Sequence, residues 1–345
     1  MGLIVSIHEF GHLIAAKIFG VYVLEYSVGM GPKLISKKTK ETEYCLRALP
    51  LGGFCMLAGD ETNDPSIDEK TKDVPMERRL IGIARWKRAI IMFAGIFMNF
   101  VLSLVIVGLI ILSNGSYGVS SKAIVKEVNK DMPAYKAGFK ENDLIEKISF
   151  ENGTSIKPKN YNELASFLDS YDGNGSWEFI VNRDSEEVSI IVDPIKDDEL
   201  GYIVGISFDS YTYKETNIFN CWYYACDYLG SILKLTVVSL ISLFRGVGLE
   251  NVSGPVGIYK VIEDSVSYGF SYYLQIVAIL SINIAVMNAL PLPAFDGGRV
   301  LILIVESIIN KPLNKKFENA IMAISMAILL AFTIYITFKD IVKLF

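Results

Sequence analysis

Four stretches of this 345-residue chain are long and apolar enough to be out of place in water, at residues 1–20, 89–112, 272–290 and 320–338. A bilayer core takes about 20 residues of helix to cross, and in lipid the backbone must satisfy its own N–H and C=O groups. Each run is therefore expected to be a membrane-spanning α-helix. A fifth stretch, residues 222–244, is apolar but carries Asp227 and Lys234. Its placement follows from the basic residues. The loop after the first run holds Lys33, Lys37, Lys38, Lys40 and Arg47, and Arg78, Arg79, Arg85, Lys87 and Arg88 lead into the second. Arg299, Lys311, Lys315 and Lys316 follow the third. Basic residues collect on the cytoplasmic side, so both loops belong there with four spans only if residues 222–244 do not cross. That stretch reads as an amphipathic or re-entrant segment at the outer face.

The first run holds both histidines of the chain, His8 and His12, in the sequence HEFGH. Four-residue spacing on a helix puts two imidazoles one turn apart on one face, where they can share a zinc ion with Glu9 beside its water. Ionisable groups inside an apolar span are costly and mark functional sites more often than packing. A catalytic zinc takes three protein ligands, so one more is needed. No histidine remains, and Cys45, Cys55, Cys221 and Cys226 are scattered without a Cys-x-x-Cys pair. A carboxylate is left, and the candidate is Asp296 in NALPLPAFDGGR, residues 288–299. Pro291 and Pro293 break the helix there, and broken backbone at membrane depth is tolerated where it lines a cavity. Gly297 and Gly298 let the backbone pass close to a metal or another helix.

Between the second span and residue 207 the character changes. AIVKEV, DLIEKISF, SWEFIVNR and EEVSIIVD alternate with period two and read as strands, Asn152-Gly153 as a turn, and residues 160–170 as a helix. The run MPAYKAGFKENDLIEKI, residues 132–148, resembles the Pro-Ala-x-x-Ala-Gly-Phe-x-x-x-Asp-x-Ile stretch of bacterial PDZ domains. Such domains bind extended peptides by adding a strand to an open edge. Residues 43–60, EYCLRALPLGGFCMLAGD, read as a β-hairpin turning at Gly52-Gly53 and dipping towards the membrane, where it could offer a strand to a substrate or simply anchor the first helix.

Taken in order, HEFGH, the glycine-rich YSVGMGP, the LPLGGF hairpin, the PDZ-like insert, NVSGPVGI and the NxxPxPxxDGG run resemble the bacterial site-2 protease family, of the PDZ-bearing regulator of sigma-E protease type. The resemblance implies a multi-span α-helical membrane protein of about four transmembrane helices, with an inserted α/β PDZ-like domain and a membrane-associated β-hairpin. It divides the chain into a membrane half at 1–116, the extracytoplasmic insert at 117–207 and a second membrane half at 208–345. It implies His8, His12 and Asp296 as ligands of Zn2+ and Glu9 as general base. Asn288 is implied to contact the substrate backbone or the developing oxyanion. Implied partners are single-span membrane proteins such as anti-sigma factors or remnant signal peptides, the lipid bilayer, and a peptide for the PDZ-like groove.

Other classes fit less of the chain. A silent PDZ-bearing scaffold has no use for Glu9, Asp296 and two histidines together, and a zinc carrier has none for the base and the insert. A net charge of −5 without a basic tract gives no support to nucleic-acid binding. The cysteines give no disulfide framework, with Cys221 and Cys226 expected as thiols. Only seven residues precede His8, short for the family, so the first helix is expected to be barely one bilayer long. No cleavable signal is expected, because that helix carries the motif.

Overall fold

The computed structural model describes residues 1–60, 70–170, 175–197, 201–245, 252–311 and 313–342. It divides into two compact units, one of Met1–Ser113 with Ile218–Phe345 and one of Asn114–Asn217. In the first unit the leading apolar run forms helix α1 (Gly2–Ile18). Its buried residues Ile4, His8, Gly11, His12, Ala15 and Ala16 recur every three or four positions and make one stripe. Gly20, at φ +75°, turns the chain out of the helix.

Strands β1 (Val23–Lys38) and β2 (Glu43–Leu57) follow, joined through residues 39–42. Here the sequence reading is corrected. Gly52 sits at φ +85°, but it bends β2 rather than forming the tip of a hairpin within residues 43–60. The two flanks of that bend do not pair with each other. Tyr26 faces both Cys55 and Tyr44, and Val28 faces both Gly53 and Leu46, so the first part of β1 is held from two sides. YSVGMGP is thus the middle of a strand, and among the described residues no other strand pairs with residues 53–57. Glu25 is buried in this sheet, with Arg47 at 2.6 Å and Lys33 at 3.2 Å. Burial alone would raise its carboxyl, but hydrogen bonds from Arg47 and Lys33 outweigh that and hold it below the usual carboxylate range.

Helix α2 (Arg85–Asn114) buries Ile91, Met92, Gly95, Ile96, Asn99 and Ser103, again one stripe. It crosses α1 at glycine: a Cβ on Gly11 would lie 2.3 Å from the Ala94 carbonyl oxygen. Leu13, Ala16, Val21, Val23, Leu57, Leu80, Ile91 and Met92 close the core where helices and sheet meet.

In the second unit all four alternating stretches form strands. The chain runs through β3 (Ser116–Ser120), β4 (Val125–Val128), α3 (Pro133–Ala137), β5 (Leu144–Phe150) and β6 (Ser155–Ile156). It continues as α4 (Tyr161–Ser170), β7 (Trp177–Arg183), β8 (Glu186–Val192), β9 (Ile195–Asp197), β10 (Gly201–Ile203), β11 (Ile206–Phe208) and β12 (Tyr211–Glu215). The main antiparallel sheet has the order β6-β5-β7-β8, while β4 pairs β11 and β3 pairs β12. Trp177, Phe179 and Val181 alternate into its core beside Ile145, Ile148 and Leu164.

The run 132–148 has a physical reason at each fixed position. Pro133 opens α3, Gly138 at φ +95° closes it, and Phe139 and Ile145 enter the core. Asp143 is fully buried and accepts two hydrogen bonds from Arg183 at 2.7 Å and one from the Lys140 backbone N–H at 2.9 Å. Removing one partner of a buried pair strands the other charge at about 3–5 kcal/mol. Arg183→Met is therefore expected to destabilise this unit by about that amount. Hydrogen exchange of the β5 and β7 amides in the full chain measures it, and unchanged protection would contradict it.

The first unit resumes with α5 (Cys221–Phe244), α6 (Pro255–Ser267), α7 (Phe270–Ala289), α8 (Asp296–Ile309) and α9 (Lys315–Val342). Among the described residues four helices are long and apolar enough to cross a membrane: Arg85–Asn114, Cys221–Leu243, Phe270–Ala289 and Lys316–Val342. Four was the expected number, but the membership differs. Residues 222–244 lie in one unbroken helix, so they lack the reversal that a re-entrant segment requires. α1, at 17 residues, is about 25 Å long and shorter than these four. α5 and α7 are tied by Gln275 Nε2 to Tyr228 Oη at 2.6 Å and Thr236 Oγ1 to Asn283 Oδ1 at 2.9 Å. Of NVSGPVGI, Asn251 lies outside the described residues; the Gly254 and Gly257 N–H groups donate to Asp340 at 2.7 and 2.8 Å. All four cysteines are free thiols.

Candidate metal centre

α7 ends at Ala289 because Pro291 and Pro293 cannot continue it. The chain reverses over residues 290–295 and re-enters a helix at Asp296. Only glycine fits the next two positions. A Cβ on Gly297 would sit 2.4 Å from the Ala289 carbonyl oxygen, and one on Gly298 would sit 2.1 Å from that of Leu292. The tight return aims Asp296 back at His8 of α1, 288 residues earlier in the chain.

His8 Nε2 lies 2.9 Å from Asp296 Oδ2, His12 Nε2 lies 3.4 Å from it, and the two Nε2 atoms are 3.2 Å apart. A tetrahedral zinc with bonds of about 2.0–2.1 Å separates its ligand atoms by about 3.3 Å, so the triangle has the size of one coordination face. The proton inventory agrees. His12 Nδ1 donates to the Ile91 carbonyl oxygen at 2.7 Å, which leaves Nε2 of the neutral ring as a lone pair. A lone pair aimed at a second imidazole nitrogen and a carboxylate oxygen calls for a cation between them. The donor set therefore fits zinc. A second group, Glu25, Glu43 and Cys45, also comes together, but Lys33 and Arg47 already compensate its charge.

A cavity of about 370 Å³ opens on the triangle, lined by His8, Glu9, His12, Phe54, Asn288 and Asp296 among others. Every site residue singled out in the sequence thus borders one space. Glu9 stays out of the triangle, as a proton acceptor beside a metal should. Cys55 and Leu57, from the end of β2 that pairs with β1 on one side only, line the same cavity. Tyr26 Oη donates to the Ser6 carbonyl at 2.8 Å and fastens the sheet to α1.

Sequence reasoning missed several contributors. Gly95 leaves the room in which the imidazoles sit: a Cβ there would be 2.6 Å from His12 Nε2 and 2.8 Å from His8 Cε1. Asn99 is fully buried with its amide 3.4 Å from His8 Nδ1. Arg299 pairs with Asp60 at 3.1 Å and ties the first turn of α8 to the residue group that ends the sheet. The available signal was a glycine and an asparagine four apart in an otherwise apolar span.

A family model described as Peptidase family M50 matches residues 1–332. A putative zinc metalloprotease of Fusobacterium nucleatum is 32% identical, with 100% of this chain and 97% of the relative aligned. The zinc metalloprotease RasP of Oceanobacillus iheyensis is 28% identical, again over 100% of this chain and 97% of the relative. The regulator of sigma-W protease RasP of Bacillus subtilis is similar at 28% identity, with the same coverage of both chains.

Proposed function

The chain belongs to peptidase family M50 and is a zinc metalloprotease, and from that premise we propose that it hydrolyses peptide bonds within or near the transmembrane segment of single-span membrane proteins. The observation that carries this reading is the cavity in which Glu9, the His8–His12–Asp296 triangle and the edge end of β2 meet. In it His8, His12 and Asp296 would hold the zinc. When bound, zinc supplies a Lewis acid that polarises a carbonyl and makes a neighbouring water acidic. Glu9 takes the proton of that water and hands it to the departing amine. Asn288 donates a hydrogen bond to the oxygen on which charge develops.

A helical substrate shields its own peptide bonds and must unwind first. Residues 53–57 offer a partner for the unwound stretch, because among the described residues no strand other than β1 pairs with them. The second unit reads as the PDZ-like domain, with α4 beside β10 and β11 around an apolar groove lined by Leu164, Leu168, Tyr202 and Ile206. We place it on the extracytoplasmic side of a multi-pass cell-membrane protein, where it screens or guides substrates. Anti-sigma factors and remnant signal peptides are the substrate classes that this arrangement suits.

The test is cleavage of a tagged single-span protein by the full chain in liposomes, with and without a zinc chelator. Cleavage inside the span that the chelator abolishes and added zinc restores is the expected result. A zinc-loaded chain that cleaves only water-soluble peptides would sink the intramembrane reading.

A further inference from the structure

Resting on the assignment of His8 as a zinc ligand, we propose that Asn99 is a positioning residue that fixes the tautomer of His8 by accepting the hydrogen of its Nδ1. Asn99 lies in the middle of α2 and has no exposed surface. Its amide nitrogen stands 3.4 Å from His8 Nδ1, while its buried Oδ1 has no hydrogen-bond partner. An orphan acceptor at zero exposure is costly, about 1–3 kcal/mol. The nitrogen and oxygen of a carboxamide exchange places by a half-turn, which changes the contact and not the shape.

Metal binding decides between the two orientations. His8 presents Nε2 to the triangle, so in the neutral ring Nδ1 carries the hydrogen and needs an acceptor. The amide turned with Oδ1 towards Nδ1 meets that need and satisfies the orphan in one step. His12 has the matching arrangement, its Nδ1 on the Ile91 carbonyl oxygen. Both rings are therefore backed from α2, two helical turns apart.

Helix packing is a poor alternative use for this side chain. The Asn99 backbone carbonyl already does that, receiving Ser103 Oγ and Ser281 Oγ at 3.0 Å each, and Ser103 also reaches the Ala278 carbonyl at 2.8 Å. These bonds fasten Asn99 to α7, so its carboxamide can turn while its Cα cannot move.

The test uses the full chain in detergent and two substitutions. Asn99→Leu keeps the volume without the acceptor, and Asn99→Asp keeps the acceptor. Competition with a chelator should show zinc bound about 10–100-fold more weakly in Asn99→Leu, the usual effect of losing the partner behind a ligating histidine. Asn99→Asp should stay within a few-fold of the unmodified chain. Equal affinity for Asn99→Leu and the unmodified chain overturns the proposal, and so does equal weakening in both variants. With only two histidines in the chain, 15N labelling resolves each ring. His8 Nδ1 found without hydrogen in the zinc-loaded, unmodified chain also overturns it, whether or not a variant folds. His8→Ala separates the underlying reading: if it binds zinc as tightly as the unmodified chain, the ligand assignment itself falls.

Discussion

Glu9→Gln is expected to cut turnover by about 10²–10⁴-fold, the range for loss of a positioned general base, while the chain still binds one zinc. Glutamine has the shape of glutamate but cannot take a proton from water. Glu9 borders the cavity without belonging to the three atoms that converge on one point, so its replacement leaves that face intact. Single-turnover cleavage of the liposome substrate, read beside metal content, separates the two quantities. Loss of zinc together with activity would make Glu9 part of the metal site rather than its base. Full activity with zinc bound would end the assignment.

Gly95→Ala is expected to abolish tight zinc binding and, with it, cleavage. The added methyl would sit 2.6 Å from His12 Nε2 and 2.8 Å from His8 Cε1. Neither ring can step aside cheaply. His12 is pinned by Ile91, and α1 is pressed on α2 at Gly11, where backbone meets backbone. Helix propensity pulls the other way, since alanine is favoured over glycine by about 1 kcal/mol in a helix interior. The clash outweighs that gain, so the expected signature is a protein of lower heat resistance that takes up no zinc even where it is folded. A variant that is merely unstable would point to packing, and one that binds zinc normally would refute the steric account.

HEFGH was legible because helix periodicity needs no neighbours: four-residue spacing places two rings on one face wherever the helix lies. Asp296 was legible because two prolines in an apolar run announce a break. Gly95 and Asn99 were not, since a glycine and an asparagine four apart in a span show a shared face but not what that face meets, and the ring that Asn99 meets lies 91 residues away. Asp60 and Arg299, 239 residues apart, gave no sign of their pairing. The hairpin was misread for a different reason. Gly52-Gly53 has turn chemistry, and turn chemistry reports a bend but not which strands the bend brings together. Register here depends on β1 being wanted on both sides, which no local pattern encodes. The length of α5 was plain from the sequence, but charge counting set against it the expectation of a segment lying on the surface.

The second unit begins and ends on the same ladder: β3 pairs β12 from Ser116 opposite Glu215 to Ser120 opposite Tyr211. It therefore hands the chain back one strand spacing from where it received it. A module spliced through a closed doorway of this kind can grow, shrink or be exchanged, and the helices on either side keep their connection.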